Sequence, residues 1–391
     1  GAILISENRV AQIGTWNELK SSSDTVIDLG ESILLPGLVN AHCHLDYTEM
    51  AGMISAPKSF SDWIKGILAL KAAWSYSEYA QSWLVGAKML PASGTTSVVD
   101  IESVPELLPD VWSATPLRVT SLLELTNVKS RLSAARIVHE ATQKINSLND
   151  DRCRAGLSPH ALYSTSPELL QRSAEIAREK NWLVSTHVSE SREEFEMFEE
   201  NRGALFDWLK NQREMSDTRI SPVQQLHRQK ILGKNFLAVH ANYISESDIA
   251  LLAKKRASVI HCPRSHHYFA HQKFPFKLLQ EAGVNVCLGT DSLASVKTKP
   301  GERTELNMFS EMQSFATANP DVPPEKILQM ATLNGARALG MQKQIGELAP
   351  NSLADLIAVP FAGKFSGAHE AVLHHQGNVS ASMIDGNWVE L

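Results

Sequence analysis

Apolar runs too short to be helices punctuate this chain, and most are followed by a longer stretch whose apolar residues recur at helical spacing. The runs fall at 37–40, 95–100, 118–123, 154–158, 183–187, 236–240, 258–261 and 284–290. Helical patterns lie at 75–91, 130–148, 166–181, 245–256, 276–283, 303–318 and 324–339, several of them opening with Ser-Pro or Ser-x-x-Glu caps. Strand alternating with helix is the signature of a parallel sheet, and eight such strands predict a closed (β/α)8 TIM barrel, an α/β fold.

The chain ends have a different texture. AILIS, RVAQIG, TVIDLG and SILLPG read as short strands broken by turns, one of them at Glu7-Asn8. The tail segments GELAPNSLADLIAVPF and SASMIDGNWVEL return to short strands, with an Asp385-Gly386 hairpin turn. Both ends are predicted to build one small β-sandwich, 1–36 with 345–391, beside a catalytic barrel domain at 37–344. A length of 391 residues suits one large domain with a smaller companion.

Composition narrows the partners. A formal charge of -6 argues against nucleic acid or an anionic membrane, and 43% hydrophobic with 20% charged residues is ordinary for a globular protein. The opening GAILISENRVAQIG lacks a basic, long-apolar signal pattern, and no apolar stretch is long enough to span a bilayer. Cys43, Cys153, Cys262 and Cys287 show no close pairing, so a reduced, cytoplasmic setting is expected.

The strand ends carry the chemistry. In LVNAHCHLD, His42 and His44 are two apart, so an extended backbone turns both imidazoles to one face, where they can chelate a cation. His187 ends the run WLVST and is followed by Glu190; His240 ends FLAV; Asp291 follows VNVCLGT. One such histidine is usually a hydrogen-bonded core residue, but repetition on successive strands points to convergence at the carboxyl end of a barrel, where active sites lie. Three imidazoles and a carboxylate suit one divalent ion, zinc first and Fe²⁺ or Mn²⁺ also compatible, which would lower the pKa of a bound water and make hydroxide available.

Taken in order, LPGLVNAHCHLD, SPHALYS, STHVSE, AVHANYIS, IHCPRS and CLGTDSLAS resemble the amidohydrolase superfamily, above all its branch of cytosine, guanine, S-adenosylhomocysteine and aminofutalosine deaminases. The resemblance runs essentially the whole chain. It implies a single metal held by the first-strand HxH pair, the fifth-strand His and the eighth-strand Asp, which match His42, His44, His187 and Asp291. The sixth-strand His, matching His240, contacts the metal-bound water or the substrate. Glu190 matches the HxxE carboxylate that shuttles protons, and Asp291 would take the proton from water. No Lys stands at 118–125 or 155–160, where the binuclear branch carries a carbamylated bridging ligand, so a mononuclear site follows.

The implied activity is hydrolytic deamination of an aminated heterocycle, a purine, purine nucleoside or related molecule, with release of ammonia. Hydrolysis of another C–N or C–Cl bond, in a cyclic amide or a triazine, is the rival reading; a scaffold without catalysis is a further one, against which the complete ligand set weighs. A small molecule is the expected partner, and a homodimer stays open. Among loop residues, His160, Arg264 and His266 are the candidate substrate contacts, His266 standing where the related loop usually has Asn. Glu124, at the third strand's end, would bond substrate or pair with an Arg. Phe60, Trp63, Ile64 and Ile67 read as the packing face of a lid helix rather than an aromatic cage.

Overall fold

The computed structural model describes residues 1–391 other than 24, 55–56, 129, 213–218, 299–300 and 302–303, and eight of its strands run parallel around a barrel. In chain order they are Leu38–Cys43, Thr95–Glu102, Arg118–Leu125, Arg154–Pro159, Val184–Val188, Phe236–His240, Ser258–His261 and Asn285–Leu288, the first to eighth strands below. Each pairs with its sequence neighbours. The ring closes where Cys43 meets Asp291 in a parallel bridge and the Asp291 N–H donates to the His42 carbonyl at 3.1 Å.

Period-two alternation sorts the strand residues. Val39, Val99, Leu122, Leu237, Ile260 and Cys287 fill the barrel interior, plugged by Leu339, Ile345 and Leu353. Val98, Val119, Val184, Ala238, Val259 and Val286 join the larger cluster shared with the surrounding helices. Serine caps start those helices as the sequence predicts: Ser75 and Glu78 form a capping box ahead of Tyr76–Ala92, and Ser166 accepts the Leu169 N–H ahead of Pro167–Lys180.

Two differences from the sequence expectation have local causes. Residues 25–30 form no strand: the Asp28 side chain accepts the Gly30 N–H at 2.9 Å in a local turn, and Val26 and Ile27 remain exposed. The helix expected over 324–339 is two, Pro324–Met330 and Leu333–Ala338. Between them the Ala331 carbonyl leaves the helical ladder to accept the Val39 N–H at 2.8 Å, tying the break to the first strand. The helix expected from 303 begins at Met308, capped by Asn307, and Arg303 itself lies outside the described residues.

The chain ends make two antiparallel sheets. One pairs Ala2–Ser6 with Arg9–Gly14; the other orders Asn387–Trp388, Ala381–Ile384, Leu356–Pro360 and Ser32–Pro36, mixing both termini. Asp385 and Gly386, with φ of 52° and 77°, supply the left-handed pair that a two-residue hairpin turn requires. Ile3 and Ile5 pack on Ala354, Leu356 and Met383, so the two sheets share a small core. A buried Arg118 pairs with Asp355 and Asp385, each at 3.0 Å, and ties these sheets to the third barrel strand.

Candidate metal centre

The barrel brings His42, His44, His187, His240 and Asp291 to one buried point at the carboxyl ends of its strands. His42 Nε2 and His44 Nε2 lie 3.5 and 3.6 Å from Asp291 Oδ1. One donor atom from each of His42, His44 and His187 falls within 4.8 Å of the others, and the same holds for His42, His240 and Asp291. His42 is common to both groups.

Backbone geometry at each strand end aims these side chains. Asp291 sits at φ 56°, in the left-handed region, and Ser295 Oγ donates to its Oδ2 at 3.0 Å, which leaves Oδ1 facing the imidazoles. His187 takes the His160 carbonyl twice, through its backbone N–H at 2.8 Å and ring Nδ1 at 2.9 Å. That second bond fixes the tautomer, protonating Nδ1 and turning the Nε2 lone pair inward. His240 and Ala241 both have positive φ, 71° and 49°, so the chain turns sharply there and the Ala241 N–H reaches the Val188 carbonyl at 3.0 Å. Behind His44, Asp100 accepts the Leu45 N–H at 3.0 Å and the Trp83 indole N–H at 3.0 Å.

Gly289 packs directly against the backbone of His42. A Cβ there would stand 2.8 Å from the His42 carbonyl oxygen and 2.9 Å from its Cβ, both atoms of an element that cannot swing aside. Gly289→Ala is therefore expected to cost about 1–3 kcal/mol in stability and to weaken metal binding by displacing His42. Thermal melts and metal titration check this; a variant matching the parent in both would show that the first strand yields freely.

His44, His187, His240 and Asp291 are in the protonation state a cation needs. Burial pushes the imidazoles of His44 and His240 down to about 3 and that of His187 well below its ordinary value. Burial alone would raise Asp291, but the surrounding His42, His240 and His44 outweigh it and hold the carboxyl well below the usual range. Both ring nitrogens of His42 and Nε2 of His240 are buried without a hydrogen-bond partner. Neutral imidazoles, an ionised carboxylate and orphaned buried nitrogens together fit a divalent transition-metal ion.

Glu190 lies beside this cluster, with Oε1 3.6 Å from His240 Nε2. Its backbone is held on both sides: the N–H donates to Glu194 at 3.0 Å and the carbonyl accepts from Asn242 at 2.9 Å. Burial first, then the carboxylates of Asp291 and Glu194, push the Glu190 carboxyl well above its ordinary value. A protonated carboxyl is thus stable next to the donor cluster.

A cavity of about 330 Å³ opens from the cluster toward solvent. Of the candidate substrate contacts, His160 lines it, with Nδ1 2.7 Å from Ser164 Oγ. Arg264 and His266 are not among its lining residues. The Arg264 guanidinium is spent on the Glu305 carbonyl at 2.8 Å and on Glu311 at 3.6 Å, and His266 Nδ1 pairs with Asn242 at 3.0 Å. The seventh-strand loop therefore braces the barrel top from behind.

Glu124 does reach the cavity, but its partner is Lys71 at 2.8 Å, not an arginine. Burial opposes both charges, yet their attraction prevails: Lys71 brings the Glu124 carboxyl down to about 2, and Glu124 raises Lys71. Lys71 was not singled out from the sequence, although it continues the stripe Ile64, Ile67, Leu68 on helix Phe60–Ala73, where an apolar residue is expected. Trp63, Ile64 and Ile67 line the cavity as well as pack, so that helix is part of the pocket wall. Its start is pinned by Glu193, which accepts the Phe60 N–H at 2.8 Å.

A (β/α)8 barrel with an imidazole–carboxylate cluster at its strand ends puts a donor set able to hold a metal ion where such barrels carry their active sites. Residues 33–389 match the Amidohydrolase family. The 5′-deoxyadenosine deaminase of Methanothermobacter thermautotrophicus is 30% identical over 369 residues, which cover 91% of this chain and 80% of that protein. A 5-methylthioadenosine/S-adenosylhomocysteine deaminase of Moorella thermoacetica is 30% identical over 384 residues, covering 92% and 81%. The crystal structure of an adenosine deaminase from Xanthomonas campestris with bound zinc shares the fold, with a TM-score of 0.84, 22% identity and coverage of 99% and 87%. The chain belongs to the amidohydrolase family.

Proposed function

We propose that this protein is a hydrolytic deaminase of adenosine-type nucleosides. The observation that carries the reading is the juxtaposition of a donor cluster with the buried Glu190 carboxyl at the closed end of a small-molecule cavity. Relatives that deaminate 5′-deoxyadenosine and methylthioadenosine support the substrate class. A cavity of about 330 Å³ is within the size range of small-ligand sites.

In this reading His42, His44, His187 and Asp291 hold one divalent ion, and the zinc bound in the Xanthomonas deaminase supports zinc. Such an ion supplies Lewis acidity that brings a water's pKa toward neutrality. Asp291 Oδ1, ionised and braced by Ser295, accepts a proton from the attacking water. Glu190 gives its proton to the ring nitrogen beside the reacting carbon, which makes that carbon electron-poor; it then takes the remaining proton of the added hydroxyl as C=O forms and passes it to the amine, which leaves as ammonia, and the proton held by Asp291 restores the Glu190 carboxyl. His240, neutral and with an unpartnered Nε2, hydrogen-bonds the oxygen that adds to the ring. The bond formed is C–O, the bond broken is C–N, and the products are the keto purine and ammonia.

His160 and the ionised Glu124 line the cavity beyond His187 and bind the substrate's hydroxyl-bearing portion. Among the described residues no helix is long and apolar enough to cross a membrane. The four buried, unpaired thiols support a reducing, cytoplasmic setting.

The experiment is ammonia release from adenosine, 5′-deoxyadenosine and 5′-methylthioadenosine by protein carrying stoichiometric zinc. Turnover with loss of the adenine ultraviolet spectrum is expected. No ammonia from any of them, alongside opening of a cyclic amide or dechlorination of a triazine, overturns the reading.

A further inference from the structure

Polarity along the cavity changes in one direction. At its closed end stand His44, His187, His240, Asp291 and Glu190, all buried. Toward solvent the wall becomes Trp63, Ile64, Ile67, Leu68, Val128 and Trp208, and Leu68 is 44% exposed, which marks the mouth. Between them lies one pair of opposite charges, Lys71 and Glu124 at 2.8 Å.

Among the described lining residues, that pair leaves the outer chamber without a spare charge. Among the described lining residues Lys71 is the one lysine or arginine, and Glu124 neutralises it. The carboxylates of Glu190 and Asp291 belong to the closed end. Lys65, whose Nζ lies 5.4 Å from the Trp208 ring centre, is not a lining residue and pairs with Asp62 at 3.5 Å on the exposed side of the helix. A charged group carried into this chamber would lose water and gain no counter-charge from its described lining residues, whereas a methyl or alkylthio group would bury apolar surface against two indoles and aliphatic chains.

Resting on the deaminase reading above, we propose that the outer chamber is a specificity subsite for an uncharged, apolar 5′ substituent. An adenosine-type base placed with its amino group at the donor cluster and its sugar beside Glu124 and His160 would direct that substituent between Trp63 and Trp208. The enzyme then prefers 5′-deoxy- and 5′-alkylthio-adenosines and rejects nucleosides whose 5′ end carries a carboxylate or an amino-acid group, a narrower selection than the paired substrates in the name of the Moorella relative.

The test compares kcat/KM of zinc-loaded enzyme on 5′-methylthioadenosine, 5′-deoxyadenosine, S-adenosylhomocysteine and adenosine 5′-uronic acid. Binding of the same four to zinc-loaded Glu190→Gln, followed by calorimetry, reads the preference without turnover. The two apolar nucleosides are expected to exceed the two charged ones by about 100-fold or more in both readouts. Trp208→Ala should raise KM for methylthioadenosine about tenfold while leaving kcat nearly unchanged, because it removes binding common to ground and transition states. Leu68→Arg should narrow the gap for the uronic acid by supplying the missing cation. Values for charged and apolar nucleosides within about threefold of each other, with deamination intact, overturn the subsite alone. Absence of deamination and of binding for all four overturns the deaminase reading itself.

Discussion

Glu190→Gln is expected to lower kcat by about 10²–10⁴-fold while the protein keeps its metal and its melting temperature. Glutamine preserves the size of the side chain and leaves in place the backbone bonds to Glu194 and Asn242 that position residue 190. It cannot release and retake a proton. Burial and the neighbouring carboxylates of Asp291 and Glu194 hold the native carboxyl in its protonated form, which is the form that can donate to a ring nitrogen. Loss in kcat with KM little changed would locate the defect in the proton transfers, and pre-steady-state mixing should show the slow step before ammonia release. Metal analysis separates the alternatives: if the variant loses metal in proportion to activity, Glu190 supports the donor cluster structurally and the proposed role is wrong.

The donor residues were legible in the sequence because barrel topology makes a strand end equivalent to a position around one ring. His42, His187 and His240 each stand at or one residue before the end of an apolar strand, and a parallel sheet closed on itself leaves such residues nowhere to go but together. Asp291 was legible for the same reason, although it lies beyond the eighth strand Asn285–Leu288 and reaches the centre through a left-handed turn that no periodicity signals. Loop residues obey no such constraint. Arg264 follows the seventh strand by three residues, as Asp291 follows the eighth, and His266 follows it by five, yet on helix Pro263–Tyr268 they pair with Glu311 and Asn242 and do not line the cavity. Pairing across elements is equally hidden: nothing local announces that Lys71 on one helix will meet Glu124 on the third strand, since the two are brought together by docking of that helix over the barrel mouth. The interruption at Ala331 shows the same logic in reverse, because a strand N–H from Val39 captured a carbonyl that helical propensity alone would have kept in the helix.

His42→Ala is expected to empty the centre and abolish turnover. The ring of His42 stands 5.0 Å from those of His44 and His187 and 5.8 Å from that of His240, and it is the one residue shared by both donor groups. His187→Ala, by contrast, leaves the group of His42, His240 and Asp291 intact and should retain weakened binding. The two variants therefore rank by geometry rather than by residue type. Stability distinguishes loss of metal from loss of fold. In the parent, saturating metal at about 100 times its Kd adds about 2.7 kcal/mol, which a strong chelator removes. The melting temperature of His42→Ala should not respond to chelator and should lie near that of the chelated parent, since alanine deletes buried ring nitrogens that have no protein partner to lose. Full metal content in His42→Ala, or a melt far below that of the chelated parent, would show that the residue serves the barrel's packing and that another set of donors holds the ion.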